Sequence, residues 1–265
     1  MLLDVSKLPP VLPLRVVFRA AQTQFVPAFP GSALHGALGR ALWKTVCAFP
    51  RRRECAGCPL LNRCAYPALF ATIAPADHRL ERLGIRDQAP RPMVLAPEEG
   101  WTRPSGHPRL VEKGVEIPFR VTLIGRAIDD LALLVVALRK VAQGGIGRSA
   151  DGETNGPSRF AAAELAGITS GDGCEVIYDA ADEQLRACKP KGPFEASLPS
   201  QNVNRIVIRL ITPLRLKRDG KVCGRPDVAD FAVALARRAN ALAVLNGTDE
   251  GPVDEAAAQE LARAV

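Results

Sequence analysis

The stretch VEIPFRVTLIG at residues 115–125, followed at once by AIDDLALLVVALRKVA at 127–142, constrains the fold more than any other part of the chain. The first alternates β-branched and aromatic residues with polar ones and reads as a strand. The second repeats apolar residues at helical spacing, with Asp129 and Asp130 in its first turn, where the helix dipole favours acid. A strand that feeds directly into a helix hides its apolar side by laying that helix back over a sheet. The same pairing stands earlier in the chain. LPLRVVFRAAQTQFV predicts a strand or hairpin from near Pro13, and PGSALHGALGRALWKTV predicts a helix with Ser32 as its cap. Leu34, Leu38, Ala41, Leu42 and Thr45 share one face of that helix, and Gly36, Gly39, Arg40, Trp43 and Lys44 share the other.

Residues 47–108 change character, with Cys, Pro and Arg interrupting short helical pieces, and are expected to be a helical, cysteine-bearing insertion. A glycine-rich loop, QGGIGRSADGETNGPSRF, and a short strand at 159–165 complete the first half. In the second half GCEVIYD and NRIVIRLITPLRLK (204–217) predict strands, and PDVADFAVALARRANALAVLNG predicts a helix whose core stripe is Phe231, Leu235 and Leu242. An Ala-rich helical tail ends the sequence. The pattern is α+β, most simply two ferredoxin-like units with the second incomplete. The expected divisions are 1–46 with 109–168, the insertion at 47–108, and a reduced second domain at 169–265.

Charge narrows the partners. The chain carries 35 Lys plus Arg against 28 Asp plus Glu, a net charge of +7, which favours a polyanion, and nucleic acid first among them. No run approaches the roughly 20 apolar residues of a membrane span, and the first residues lack the basic start and cleavage site of an export signal. The expected location is cytoplasmic.

In such a compartment cysteines bind metal, react or lie buried more often than they pair. Cys47, Cys55, Cys58 and Cys64 follow the pattern Cys-x7-Cys-x2-Cys-x5-Cys, and four thiolates within that reach can close a tetrahedral zinc site. An iron–sulfur centre or four free thiols are the other readings. Four ligands would leave zinc no open position, so its role would be structural. It would order an insertion with little hydrophobic periodicity. Cys174, Cys188 and Cys223 share no spacing and are expected to be incidental.

Three stretches together resemble the CRISPR-associated repeat-processing endoribonucleases of the RAMP superfamily. They are PGSALHGALGRALWKTVC with the cysteine cluster and CAYPALF, VTLIGRAIDDLALLVVALRKVAQGGIGR with RF behind it, and IRLITPLRLKRDG followed by ARRANAL. The shortened second half and the helical insertion are most similar to the small type IV variants. The resemblance implies two RNA-recognition-like ferredoxin folds and cleavage of the CRISPR repeat transcript without a metal in the reaction. The 2′-hydroxyl beside the scissile phosphate would be the nucleophile, leaving a 2′,3′-cyclic phosphate and a 5′-hydroxyl. The partners implied are repeat or guide RNA with its stem-loop and other CRISPR effector subunits.

That chemistry needs a base for the 2′-hydroxyl, stabilisation of the phosphorane and a proton for the leaving oxygen. His35, expected in the first turn of its helix, is the candidate base, because a helix N-terminus attracts phosphate and keeps imidazole neutral. A buried or capping role is its other reading. Arg40, one turn beyond Gly36, is the candidate phosphorane partner, with Lys44 a turn further on and the glycines admitting RNA backbone; glycines that serve packing beside two merely solvated cations are the other reading. Arg15 and Arg19 share a strand face and are candidates to line the same cleft. Arg51, Arg52 and Arg53 suit a stem-loop's phosphates, and Arg237 and Arg238 are candidate contacts from the second domain. Gly145, Gly147, Arg148 and Arg159 stand where the resemblance places a phosphate-binding glycine loop. Read alone, the glycines are a turn, and the missing Gly-Lys-Ser/Thr ending excludes a Walker nucleotide loop. A non-catalytic RAMP subunit holding guide RNA in an effector complex, or a zinc-containing RNA-binding factor of another kind, would need the same basic surface.

Overall fold

The computed structural model describes residues 4–51, 54–103, 105–150, 163–190, 207–210, 214–218, 221–248, 251–254, 256–257 and 260. In chain order its main elements are β1 (Val11–Ala20), β2 (Gln24–Val26), α1 (Pro30–Val46), α2 (His78–Arg82), β3 (Met93–Pro97), β4 (Arg109–Val111), β5 (Glu116–Ile124) and α3 (Leu131–Gly144). These are followed by β6 (Arg148–Ser149), β7 (Ala163–Ser170), β8 (Val176–Asp179), β9 (Lys217–Arg218), β10 (Lys221–Val222) and α4 (Val228–Leu245). The fold is mixed α+β with antiparallel sheets. No helix among the described residues is long and apolar enough to cross a membrane.

The chain divides into two compact units. The larger comprises Leu12–Thr72 and Arg91–Pro190, and the smaller comprises Met1–Val11, Ile73–Pro90 and Lys191–Val265. The stretch expected as one insertion, 47–108, is therefore shared between them.

In the larger unit a five-stranded sheet runs in the order β3-β5-β1-β7-β8. β1 alternates strictly enough to face two ways: Leu12, Leu14, Val16, Phe18 and Ala20 are buried, whereas Arg15 and Arg19 are on the other face. It pairs antiparallel with β7 from Leu14 opposite Ser170 to Ala20 opposite Ala163, with a register shift at Val17/Phe18. Phe18 meets Phe119 of β5 edge-on, centroids 5.9 Å apart and planes at 82°. Leu34, Leu38 and Leu42 of α1 and Leu134, Leu138 and Val141 of α3 close the same core. Each large side chain so removed from water contributes about 1.5–3 kcal/mol before chain entropy is counted. A second small sheet, β4-β2-β6, joins residues on either side of α1 to the turn after α3.

Two expectations change in the larger unit. The helix expected from residue 127 starts at Leu131, because Gly125–Asp130 is a 3-10 turn and Asp130 is the N-cap residue. Its carboxyl is raised by burial and by neighbouring Asp129. MVLAP, read as part of a loose return, is β3, antiparallel to β5 from Met93 opposite Leu123 to Pro97 opposite Phe119. It is an edge strand, where a proline's missing N–H removes no ladder bond.

In the smaller unit α4 opens on a capping box, in which the Asp227 side chain accepts from the Asp230 N–H and Asp230 returns a bond to the cap. Its buried stripe is not the expected one. Leu235 is 65% exposed, and Ala236, Asn240, Ala241, Leu242, Ala243 and Val244 are buried instead. The cause is local: Asn240 exchanges hydrogen bonds with the backbone of Val253 at 2.9 and 3.0 Å. Leu80 of α2 packs on Ala241 and Val244. Of the strand expected at 204–217, described residues 207–210 and 214–216 are not in a strand, and only β9 pairs, with β10. The rest of that stretch and most of the helical tail lie outside the described residues.

Candidate functional site

α1 begins earlier than its sequence suggests. Pro30 occupies the first helical position, where its fixed φ and missing N–H are harmless, and Phe29 is an N-cap residue without a side-chain bond. Ser32 is consequently inside the first turn and does not cap. His35 stands in the second turn, past the unpaired N–H groups that would have met a phosphate. Its ring instead lies against Phe70, centroids 4.5 Å apart and planes 31° apart. Its pKa is lowered, first by burial and then by the Arg91 guanidinium. Burial and Arg91, not the helix N-terminus, are thus what favours the uncharged form of this imidazole.

Phe70 organises this surface. It belongs to a π-helical turn, Pro67–Ala71, followed by Thr72 with a positive φ of 35°. Its carbonyl accepts from Arg91 Nε at 2.7 Å, while the same guanidinium lies 5.2 Å from its ring centroid. Tyr66, four residues earlier, stacks on it with centroids 5.7 Å apart. The two glycines of α1 answer to Phe70 differently. A Cβ on Gly39 would stand 2.3 Å from Phe70 Cζ, so Gly39 lets the ring seat on the helix and is not open to RNA. A Cβ on Gly36 would meet only Arg40 Nη1, at 3.7 Å. Arg40 therefore folds back along the helix over Gly36.

Between α1 and residues 47–70 lies a pocket of about 440 Å³ whose wall includes His35, Gly36, Arg40, Trp43, Tyr66 and Phe70. Cys47, Cys55, Cys58 and Cys64 line it as well. Burial raises the Cys55 thiol, and Cys64, Cys47 and Cys58 each add to that rise. Four thiols lining one pocket are the donor chemistry of zinc. Among the described residues no group of three or more His, Cys, Asp or Glu is already arranged around a metal position. The thiols after Cys47 are carried by turns and one 3-10 turn, Leu61–Arg63. They can close on an ion without breaking a regular element. In that sense the residues fit the metal.

The other expected residues divide. Arg15 binds Glu98, its Nε 2.7 Å from the carboxylate, and Arg19 reaches Glu116 at 3.4 Å. They share a face, as expected, but neither lines the pocket. Lys44 and Arg51 are exposed beside it without lining it, and Arg52, Arg53 and Arg159 lie outside the described residues. Gly145 is buried with φ 85°, and its N–H caps α3 at Val141 O and Ala142 O, so it does not offer itself to phosphate. Gly147 is also buried; a Cβ there would stand 2.6 Å from Phe25 O, so it serves the close approach of β6 to β2. Arg148, opposite Phe25, is exposed. Arg237 is exposed on α4 and Arg238 half-buried.

The family model AF_1859_N, described as an N-terminal domain, matches residues 8–190. The chain belongs to that family. The AF_1859_N match spans α1, the cysteine cluster, the aromatic wall and the whole five-stranded sheet. No curated protein matches the chain.

Sequence reasoning missed Tyr66, Phe70 and Arg91. The first two were legible as an i, i+4 aromatic pair directly after Cys64. Arg91 carried no local signal, since it reaches Phe70 from 21 residues away.

Proposed function

We propose that this protein is a CRISPR repeat-processing endoribonuclease of the RAMP type, cutting precursor RNA by metal-independent attack of a 2′-hydroxyl. One observation carries the reading. A histidine whose pKa is lowered by burial and an arginine whose guanidinium lies over Gly36 line the same pocket on one helix, His35 and Arg40. The fold supports it. Strand, helix, two strands, helix, strand (β1, α1, β3, β5, α3, β7), with sheet order β3-β5-β1-β7, is the element order of a ferredoxin-like unit. We read the larger unit as one such domain and the smaller as a reduced second.

In the reaction, neutral His35 takes the proton of the 2′-hydroxyl as its oxygen bonds to the adjacent phosphorus. Arg40 stabilises the extra negative charge on the phosphorane. The bond from phosphorus to the 5′-oxygen then breaks, that oxygen takes a proton from water and His35 returns its own to solvent, giving a 2′,3′-cyclic phosphate and a 5′-hydroxyl. Lys44, Arg51, Arg52 and Arg53 hold the phosphates of the repeat stem-loop. Cys47, Cys55, Cys58 and Cys64 would hold a structural zinc, whose chemistry is to fix the insertion and nothing more. A guide-RNA-binding subunit without catalysis is the second reading, favoured by the packing of His35 on Phe70.

Single-turnover cleavage of repeat RNA in chelator tests the proposal. Cyclic-phosphate and 5′-hydroxyl ends are expected. Strict dependence on added Mg²⁺, or 5′-phosphate ends, would refute it, and tight binding without cleavage would select the second reading.

A further inference from the structure

We propose that the pocket on α1 receives one unpaired base of the bound RNA, seating it over Gly36 against Trp43 and Tyr66. This inference rests on the reading of the chain as an RNA-binding protein, and adds a base-specific contact to it. The phosphate-directed residues alone do not explain the pocket. Its walls are mostly aromatic and aliphatic, Trp43, Phe49, Tyr66 and Phe70 among them, and a site built only for phosphate would be lined by donors. Its volume of about 440 Å³ falls in the range of small-ligand sites and holds a planar heterocycle with its sugar. A paired base in a stem presents no face to such a wall, whereas an unpaired one stacks on any aromatic ring.

The parts of the wall have separable duties. Phe70 is already held, with His35 and Tyr66 stacked against it, Arg91 near its ring and its edge on Gly39. It is the fixed back of the pocket. Gly36 is the floor, because a Cβ there would find only Arg40 Nη1 within 4 Å. A base can therefore reach the helix backbone at that position by displacing only the far end of the Arg40 side chain. Trp43 and Tyr66 are half-buried, so each has ring surface left to cover. Arg40 at the same wall supplies a cation for the base's own phosphate. An aromatic side chain of a protein partner would fill the same space, but Arg40 in the wall, with exposed Lys44 and Arg63 each next in sequence to a lining residue, favours a polyanion.

The test uses the full chain and a repeat hairpin with single-stranded flanks, in which each unpaired nucleotide in turn is made abasic. Binding is measured for the parent protein and for Gly36→Leu, which fills the floor with a residue of good helix propensity. One abasic position is expected to weaken binding to the parent by about tenfold, the scale of one lost base–aromatic stack. Gly36→Leu should lose about as much with intact RNA and nothing further with that abasic RNA. In a Trp101→Phe background Trp43 is the sole tryptophan, and its fluorescence should change with intact RNA but not with the abasic one. Trp43→Leu repeats the binding cycle should Gly36→Leu fold poorly. RNA binding with additive losses at every position and no Trp43 response overturns the inference and leaves the proposed function standing. Failure to bind repeat RNA at all overturns both, and a Trp43 response to an aromatic peptide alone would assign the pocket to a protein.

Discussion

The two glycines of α1 differ by three residues in sequence and should differ in the sign of their response to alanine. At Gly36 the added methyl finds ordinary contact with Arg40 at 3.7 Å, so the helix gains the roughly 1 kcal/mol by which alanine exceeds glycine. At Gly39 the methyl would stand 2.3 and 2.4 Å from two atoms of Phe70, where carbon contacts settle near about 3.5–4.0 Å. The ring would have to retreat by more than an ångström. His35, Tyr66 and Arg91 hold it in place, so the cost should approach the upper end of overpacking, about 3 kcal/mol. Subtracting the helix gain leaves a net loss of about 2 kcal/mol. Thermal melts followed by tryptophan fluorescence report on this unit alone, because Trp43 and Trp101 both belong to it. At about 2–4 °C per kcal/mol for a chain of this size, Gly36→Ala should melt a few degrees higher and Gly39→Ala about 4–8 °C lower. Phe70→Leu in the Gly39→Ala background should recover part of the loss. Equal stabilisation by both alanines would refute the seating of Phe70 on Gly39.

Arg40→Ala should slow single-turnover cleavage by about a hundredfold or more while weakening RNA binding far less, the signature of a transition-state contact; an unchanged rate at saturation would remove Arg40 from the chemistry. Because the His35 pKa lies below the ordinary histidine value of 6.5, the acid limb of the rate profile should fall below that pH. The same shift makes stability decline as pH drops through 6.5 toward the folded-state pKa, since the unfolded chain takes up a proton that the folded one resists; His35→Gln should flatten that decline. Elemental analysis should find about one zinc per chain, and Cys58→Ser should lower thermal stability more than the cleavage rate of bound RNA. Neutralising Arg51, Arg52 and Arg53 together should weaken RNA binding and flatten its salt dependence through lost counterion release, with bound RNA still cut at nearly the parent rate.

Much of the larger unit was legible because its elements are built on strong periodicities. β1 and β5 alternate, α1 and α3 carry continuous apolar stripes, and each is found within a few residues of its expected place. What escaped was set by partners distant in the chain. β3 is a strand because β5 pairs with it, and its flanking prolines concealed that. The buried face of α4 is decided by Asn240 meeting Val253 and by Leu80 of α2, so the strong apolar signal of Leu235 misled. At the candidate site, the conjunction of α1 with the cysteine cluster was legible from adjacency alone. Of the aromatic wall only the i, i+4 pair Tyr66 and Phe70 was legible, and not what it packs on, because seating an insertion on a helix through a glycine leaves no periodic trace.

That seating also determines how the cysteines can matter to the pocket without taking part in its chemistry. Cys64 is followed two residues on by Tyr66 and six on by Phe70, and the Ala68 N–H bonds the Cys64 carbonyl at 3.3 Å. Any restraint on the Cys64 thiol is thus passed directly to the turn that carries both rings. A zinc held by Cys47, Cys55, Cys58 and Cys64 would tie that turn back to the end of α1, at Cys47, whose N–H bonds Trp43 O at 2.9 Å. The metal would then set the position of Tyr66 relative to Trp43, two walls of the base pocket, and would reach His35 only through the Phe70 ring it lies against, 4.5 Å between centroids. Its removal should appear in RNA affinity and in Trp43 fluorescence before it appears in the rate of cleavage at saturating RNA. A rate lost in step with the metal while affinity held would place the ion in the reaction itself and contradict this arrangement.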